Sequence, residues 1–155
     1  MSKHAAKDSA DPENRAFLLE HSPFYRLAQV EGLYQERMSQ SLKAVGMDLP
    51  RWRVLMILHE KSPSTVSEIA GRAVMKLSTM TKVAQRLARE GLVELAPNQH
   101  DARSTDVHLT SSGDEVLEEI RIAASRIYRQ ATIDFDDEDI ERLNALLAKL
   151  HLAMR

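Results

Sequence analysis

Six side chains between positions 78 and 86 have the types and spacing that contact with a nucleic-acid duplex requires: Ser78, Thr79, Thr81, Lys82, Gln85 and Arg86. Hydroxyls and cations hold phosphate oxygens, while Gln and Arg are long enough to reach base edges in a major groove. Met80, Val83, Ala84 and Leu87 fall between them and face inward if the segment is helical. Taken alone, this is equally the pattern of an ordinary amphipathic surface helix. A further cation, Arg103, stands two residues after Asp101 in a polar turn. Aligned by that carboxylate at a hairpin tip, its guanidinium would suit a narrow A·T-rich minor groove; otherwise it is a solvated turn residue. His100 reads as an exposed loop histidine before it reads as a phosphate contact.

The elements on either side favour the first reading. Thr65, with Glu68 three residues on, makes a capping-box pattern ahead of Ile69 and Ala70, which predicts a short helix ending near Ala73. The next helix runs from about residue 77 to 90 and is closed by Gly91. Leu92, Val93 and Leu95 form a short strand, residues 97–101 supply turn chemistry, and residues 106–109 alternate back as a second strand. Helix, turn, helix and hairpin in that order predict a winged helix-turn-helix over residues 47–111, with double-stranded DNA as its partner.

The flanks carry a different message. Asp11-Pro12 is expected to open a short helix through Leu19, after a flexible polar tail at residues 1–14. Ser22-Pro23 opens a long one, with Phe24, Leu27, Val30, Tyr34, Met38, Leu42 and Val45 on a stripe that Gly46 ends. Pro50 starts the next helix, with Trp52, Leu55, Met56 and His59 near one face; residues 61–64 read as a loop. Thr110 and Ser112 are alternative caps for a helix reaching about Ile133. A last helix carries Ile140, Leu143, Leu147, Leu150 and Met154 on one stripe. Solvated stripes of this length are sticky, so residues 15–46 and 112–155 are expected to be dimerisation helices. The fold class is therefore mostly α with a small β-hairpin wing, and a two-fold dimer would set two reading helices about one DNA turn apart.

Charge follows the same division. The chain of 155 residues has a net charge of −2, yet residues 51–110 hold nine Lys/Arg against six Asp/Glu. Affinity for phosphate depends on the local face more than on the total. An apolar fraction of 43% excludes global disorder. No cysteine is present, which excludes disulfides, thiolate metal sites and thiol redox sensing. Histidines at 4, 21, 59, 100, 108 and 151 are scattered without metal-ligand spacing, so no metal and no cofactor are expected. The acidic run from Asp136 to Asp139 lacks the glycine and spaced oxygens of a calcium loop and reads as helix capping. No nucleophile-elbow, dinucleotide or phosphate-loop motif supports an enzyme. With no signal-peptide or membrane-length apolar run, a cytoplasmic location and no membrane partner are expected.

At these residues the chain resembles the MarR family of bacterial transcriptional regulators. Residues 49–55 (Leu-Pro-Arg-Trp-Arg-Val-Leu) resemble the opening of that family's second helix, and Ser78-Thr79-Met80-Thr81-Lys82 with Arg86-Leu87 its recognition helix. Gly91-Leu92-Val93, Asp101-x-Arg103 and Leu109-Thr110 resemble its wing. The resemblance implies a homodimeric repressor of a pseudo-palindromic operator, released when a small organic ligand, often an aromatic acid, enters a cleft between the dimer and DNA-binding lobes. It implies that Ser78, Thr79, Thr81, Lys82, Gln85 and Arg86 meet the major groove and phosphates, and Arg103 the minor groove. For the ligand it brings in His21, Tyr25, Arg26 and Trp52, with Met56, although Trp52 and Met56 also read as core. A His and an Arg beside an aromatic group can receive a carboxylate. The chain departs from the family pattern at Lys76 and Leu77, where many members have Asp-Lys, at Gln85 in place of Asp, and at Ala102 in place of a second Arg. The alternative is a winged helix used as a protein-interaction module without sequence-specific DNA binding.

Overall fold

The computed structural model describes residues 5–155, which are mostly helical with one small antiparallel sheet. Where a flexible tail was expected, Ala5–Ala10 form a short helix, α1. It is docked by the Leu18 N–H, which donates to the Ser9 carbonyl at 2.9 Å, and by the His21 ring, whose Nδ1 lies 2.9 Å from Ser9 Oγ. No helix opens at Asp11. Asp11 and Asn14 accept the Glu13 and Ala16 N–H groups on their own side chains, and such local bonds favour turns over a helix. A single 3-10 turn at Leu19–His21 leads into the long helix α2, Pro23–Lys43.

Gly46, at φ +67°, ends that segment in the left-handed region as the sequence predicts. Helix α3 is Leu49–Glu60, and its cap is Asp48, whose carboxylate accepts the Arg51 N–H. It is buried nearly all round rather than on one face, because α2 and three later helices pack about it. His59, expected near the face of Trp52 and Met56, is an exposed residue at the end of the helix. The last residue read as loop and the cap residue after it form a two-residue strand, β1 (Ser64–Thr65), which pairs Ser64 with Val107 and Thr65 with Asp106.

The central unit follows. Thr65 and Glu68 exchange both bonds of the capping box at the start of α4, Val66–Arg72. Helix α5 is Leu77–Arg89, ended by Gly91 at φ +73°. Strands β2 (Val93–Pro97) and β3 (Thr105–Leu109) form the hairpin, in register Val93 with Leu109 and Pro97 with Thr105, so the sheet order is β1-β3-β2. Met80, Ala84 and Leu87 of α5 enter one core with Ile69, Val54, Leu55, Leu58, Val93 and Val107. In the turn between α4 and α5, Val74 has φ +54° and is 85% exposed, a costly conformation for a β-branched residue.

Helix α6, Ser111–Ala131, settles the capping question in favour of Thr110, whose hydroxyl accepts from Gly113 N–H and donates to the Gly91 carbonyl at 2.8 Å. Gly113 has no room for a side chain: a Cβ there would overlap the Leu92 carbonyl and stand 2.8 Å from a Leu109 methyl. Asp136 caps α7, Asp137–Ala153, through the Asp139 N–H. Leu117 and Ile120 anchor α6 in the core, whereas α7 contributes no buried residue. Leu143, Leu146, Leu147 and Leu152 on α7, and Phe24, Leu27, Val30 and Leu33 on α2, are left exposed. No helix among the described residues is long and apolar enough to cross a membrane.

Candidate nucleic-acid interface

Because Met80, Ala84 and Leu87 point inward, the 3.6-residue period fixes what α5 shows to solvent. The row opposite the core is Ser78, Lys82, Gln85 and Arg89, all exposed. Arg89 was not among the residues singled out from the sequence, although its spacing from Lys82 and Gln85 is the signal that finds it. Lys82 and Arg89 have no hydrogen-bond or ion-pair partner among the described residues, so both cations are free for phosphate. Thr79 and Arg86 lie on one flank of this row, and Thr81 with Leu77 on the other, toward the wing. The Thr81 hydroxyl donates to the Leu77 carbonyl at 2.9 Å.

Arg86 is differently placed. Its Nε donates to Glu90 Oε1 at 3.0 Å and its Nη1 to Asp48 Oδ2 at 3.4 Å, so a phosphate would have to compete with two carboxylates. Behind it Arg51, only 5% exposed, sends Nε to Asp48, Nη1 to both Glu90 oxygens at 2.8 and 2.6 Å, and Nη2 to the Gly46 carbonyl. One guanidinium thus ties the segment ahead of α3 to Glu90, the residue that caps the end of the reading helix. Burial acts against charge on both partners, but the bonds and charges outweigh it. The Glu90 carboxyl is held below the ordinary carboxylate range, and the Arg51 guanidinium above its usual value.

The wing tip is wired by two polar side chains. Asn98 Oδ1 accepts the N–H groups of His100 and Asp101, while its amide donates to Asp106. Asp101 accepts the Arg103 backbone N–H and the Ser104 hydroxyl, each at 2.9 Å. The carboxylate therefore shapes the turn and does not align the Arg103 guanidinium, which has no partner among the described residues. Between α5 and the wing runs a cleft of about 360 Å³ lined by Leu77, Thr81, Gln85, Leu95, Arg103 and Thr105, among others. It brings Thr81 and Gln85 to the same concavity as Arg103. A groove with a hydroxyl and an amide on its helix wall and the Arg103 cation on its wing wall has the form needed to straddle a sugar–phosphate ridge between major and minor groove.

The residues expected around a small ligand do not assemble. His21 is held by Ser9; Arg26 donates to the Glu20 carbonyl at 2.9 Å and to Gln29, which in turn donates to Tyr25. These form an exposed cluster at the start of α2. Trp52 lies elsewhere, 8% exposed, in the wall of a cleft of about 430 Å³ shared with Tyr34, Met56, Arg121, Ile127 and Tyr128. Its indole N–H is buried without an acceptor. Burial raises the Tyr34 hydroxyl, against a smaller lowering by the Arg53 charge. At the rim, Arg121 Nη1 lies 3.3 Å from His59 Nε2 and 2.8 Å from Glu118, while His59 Nδ1 meets Asp114 at 3.0 Å. Neither Tyr34 nor Arg121 was found from the sequence, since only the packing of α2 and α6 against α3 brings them to Trp52. Among the described residues no group of three or more His, Asp or Glu could hold a metal ion.

Comparison with known proteins bears on both regions. Residues 47–105 match the family model described as "MarR family". The HTH-type transcriptional repressor IacR of Pseudomonas putida is 39% identical over 137 residues, 88% of this chain and 82% of that protein. A MarR-family transcriptional regulator from Silicibacter pomeroyi superposes with a TM-score of 0.81 at 22% identity, covering 89% of this chain and 93% of that one. NadR in complex with 4-hydroxyphenylacetate superposes with a TM-score of 0.77 at 23% identity, covering 90% and 97%.

Proposed function

The chain belongs to the MarR family of transcriptional regulators, and from that premise we propose that it is a homodimeric repressor of a two-fold symmetric operator, released by a small aromatic acid. The observation that carries the DNA half of this reading is the unpaired outward row Ser78, Lys82, Gln85 and Arg89, with unpaired Arg103 across the cleft. Ser78, Thr79 and Lys82 then hold phosphates, Gln85 reaches base edges, and Arg103 enters the minor groove. Arg86 takes a smaller share, because Glu90 and Asp48 already engage it.

Pairing of two chains through residues 15–46 and 112–155 rests on the exposed leucines of α7 and the exposed apolar residues of α2. A solvated patch of that extent favours a symmetric partner. For the effector, the cleft beside Trp52 offers what an aromatic acid needs: an apolar wall that includes Trp52, Met56 and Ile127, and the Arg121 cation at the rim. In NadR the same fold is found with 4-hydroxyphenylacetate bound. On this reading the effector carboxylate draws Arg121 away from His59, loosening α6 from α3 and changing the spacing of the two reading helices. His21, Tyr25 and Arg26 then take part only if the partner chain brings them near.

The test uses a duplex selected by the protein from a random-sequence pool. Arg89→Ala and Arg103→Ala should each weaken binding and reduce the slope of log K against log salt by about 1 per chain, with the dimer intact. Unchanged affinity and slope in both would sink this assignment of the DNA face, and failure to select any duplex would return the fold to a protein-interaction module. Trp52 is the sole tryptophan, so its fluorescence should respond to 4-hydroxyphenylacetate or related acids. No response across a panel, and no release of DNA, would leave a repressor without an effector.

A further inference from the structure

We propose that Leu77 is a specificity-determining residue, its side chain and the Thr81 methyl contacting the C5-methyl group of a thymine in each half-site. This rests on the DNA-reading function above and goes further, by naming a base feature that is read. Leu77 is the first residue of α5, and the N-terminal residues of a reading helix are those that reach base edges. It is 54% exposed on a surface otherwise made of hydroxyls, an amide and cations. Leu77 can neither hold a phosphate nor donate to a base.

Its surroundings extend the apolar character. Thr81 spends its hydroxyl proton on the Leu77 carbonyl, so it cannot donate to a base edge, and its methyl group adds an apolar contact surface. Leu95 of the wing lines the same cleft, with Val66 and Ala84 at its back. In the major groove the thymine methyl is the apolar feature that base pairs present. Gln85 follows Leu77 and Thr81 along one helical row, at positions i, i+4 and i+8, and suits the paired donor and acceptor of adenine. The row Leu77, Thr81, Gln85 therefore reads A·T pairs, whereas a cation at position 77 would favour guanine or phosphate.

The experiment replaces each thymine of the selected duplex by deoxyuridine, one position at a time, which removes only the methyl group. With the unmodified protein, uracil at one position per half-site should weaken binding about three- to fourfold, the worth of one buried methyl-sized group. Leu77→Ala should bind the thymine duplex more weakly and lose that discrimination, while Leu77→Met should restore much of it. Circular dichroism checks that both variants fold, as expected for a side chain more than half exposed. Indifference of every thymine to uracil, or an equal loss in Leu77→Ala, would overturn the inference alone. Failure of the unmodified protein to enrich any duplex would overturn the DNA-reading function itself.

Discussion

Removing the Glu90 side chain tests the internal mechanics of the reading head. Arg51 is almost fully buried, and its Nη1 is satisfied by the two Glu90 oxygens. Glu90→Ala leaves that charge desolvated with Asp48 and the Gly46 carbonyl as its remaining partners. Breaking a buried pair from one side costs ~3–5 kcal/mol, and the surviving Asp48 bond places this case near the lower end, at about 3. For a chain of this size that is a fall in Tm of roughly 6–12 °C. Arg51→Met should cost less, because it removes the buried charge and leaves Glu90 partly exposed and still paired with Arg86. Combined with Glu90→Ala it should recover about 2 kcal/mol of the expected sum, since neither charge is then stranded. Urea unfolding of the four proteins at one fixed chain concentration, with unchanged m-values, supplies the cycle. A Glu90→Ala cost below about 1 kcal/mol, or strictly additive losses, would refute the claim that this guanidinium clamps the reading helix to α3.

Two other outcomes follow from the same geometry. Gly113→Ala should cost about 3 kcal/mol or more, at the upper end for overpacking, because the added methyl meets the backbone carbonyl of Leu92 rather than a movable side chain; a variant of wild-type Tm would contradict the placement of α6. The pH dependence has a definite sign: Glu90 is depressed in the folded state, so its stabilisation is fully present above its unfolded value of about 4.3 and is lost as pH falls through the lower folded value. The stability gap between wild type and Glu90→Ala should therefore stay constant from about pH 8 to 5 and narrow only in more acid solution, and a gap that narrowed near neutrality would speak for another group.

Much of the reading head was legible because its signals are local. The Thr65–Glu68 capping box, the left-handed glycines at 46 and 91, and the alternation of β2 and β3 each act within a few residues. The outward row of α5 was legible in principle to Arg89, since one period extends it. Other features depend on distant partners. Strand β1 exists because β3 lies beside it, about forty residues on in sequence. Nothing local in the sequence marks Arg51 as buried, because Glu90, which pairs with it, is 39 residues away. Arg86 fits a DNA-facing pattern by type and spacing; of the two carboxylates that hold it, Glu90 is one turn along the helix, whereas Asp48 is 38 residues away and carries no local signal. The Trp52 cleft is made by three helices from separate parts of the chain, so the cluster His21, Tyr25 and Arg26, adjacent in sequence, was a poor guide to it. Val74 has no sequence signal at all: a β-branched residue holds a turn conformation that glycine would adopt freely.

The unburied α7 has a consequence for how such a regulator would respond to its own abundance. On the proposed pairing, covering Leu143, Leu146, Leu147 and Leu152 would make the paired chain more stable than the lone one, so the folded pool would depend on concentration. When chains are scarce, pairs form as the square of their number, and only a pair can span both halves of a symmetric site. Occupancy would then fall faster than synthesis when production slows or a cell divides. Timing of the switch would be set partly by dilution, through a helix that lines neither the cleft beside the wing nor the cleft beside Trp52.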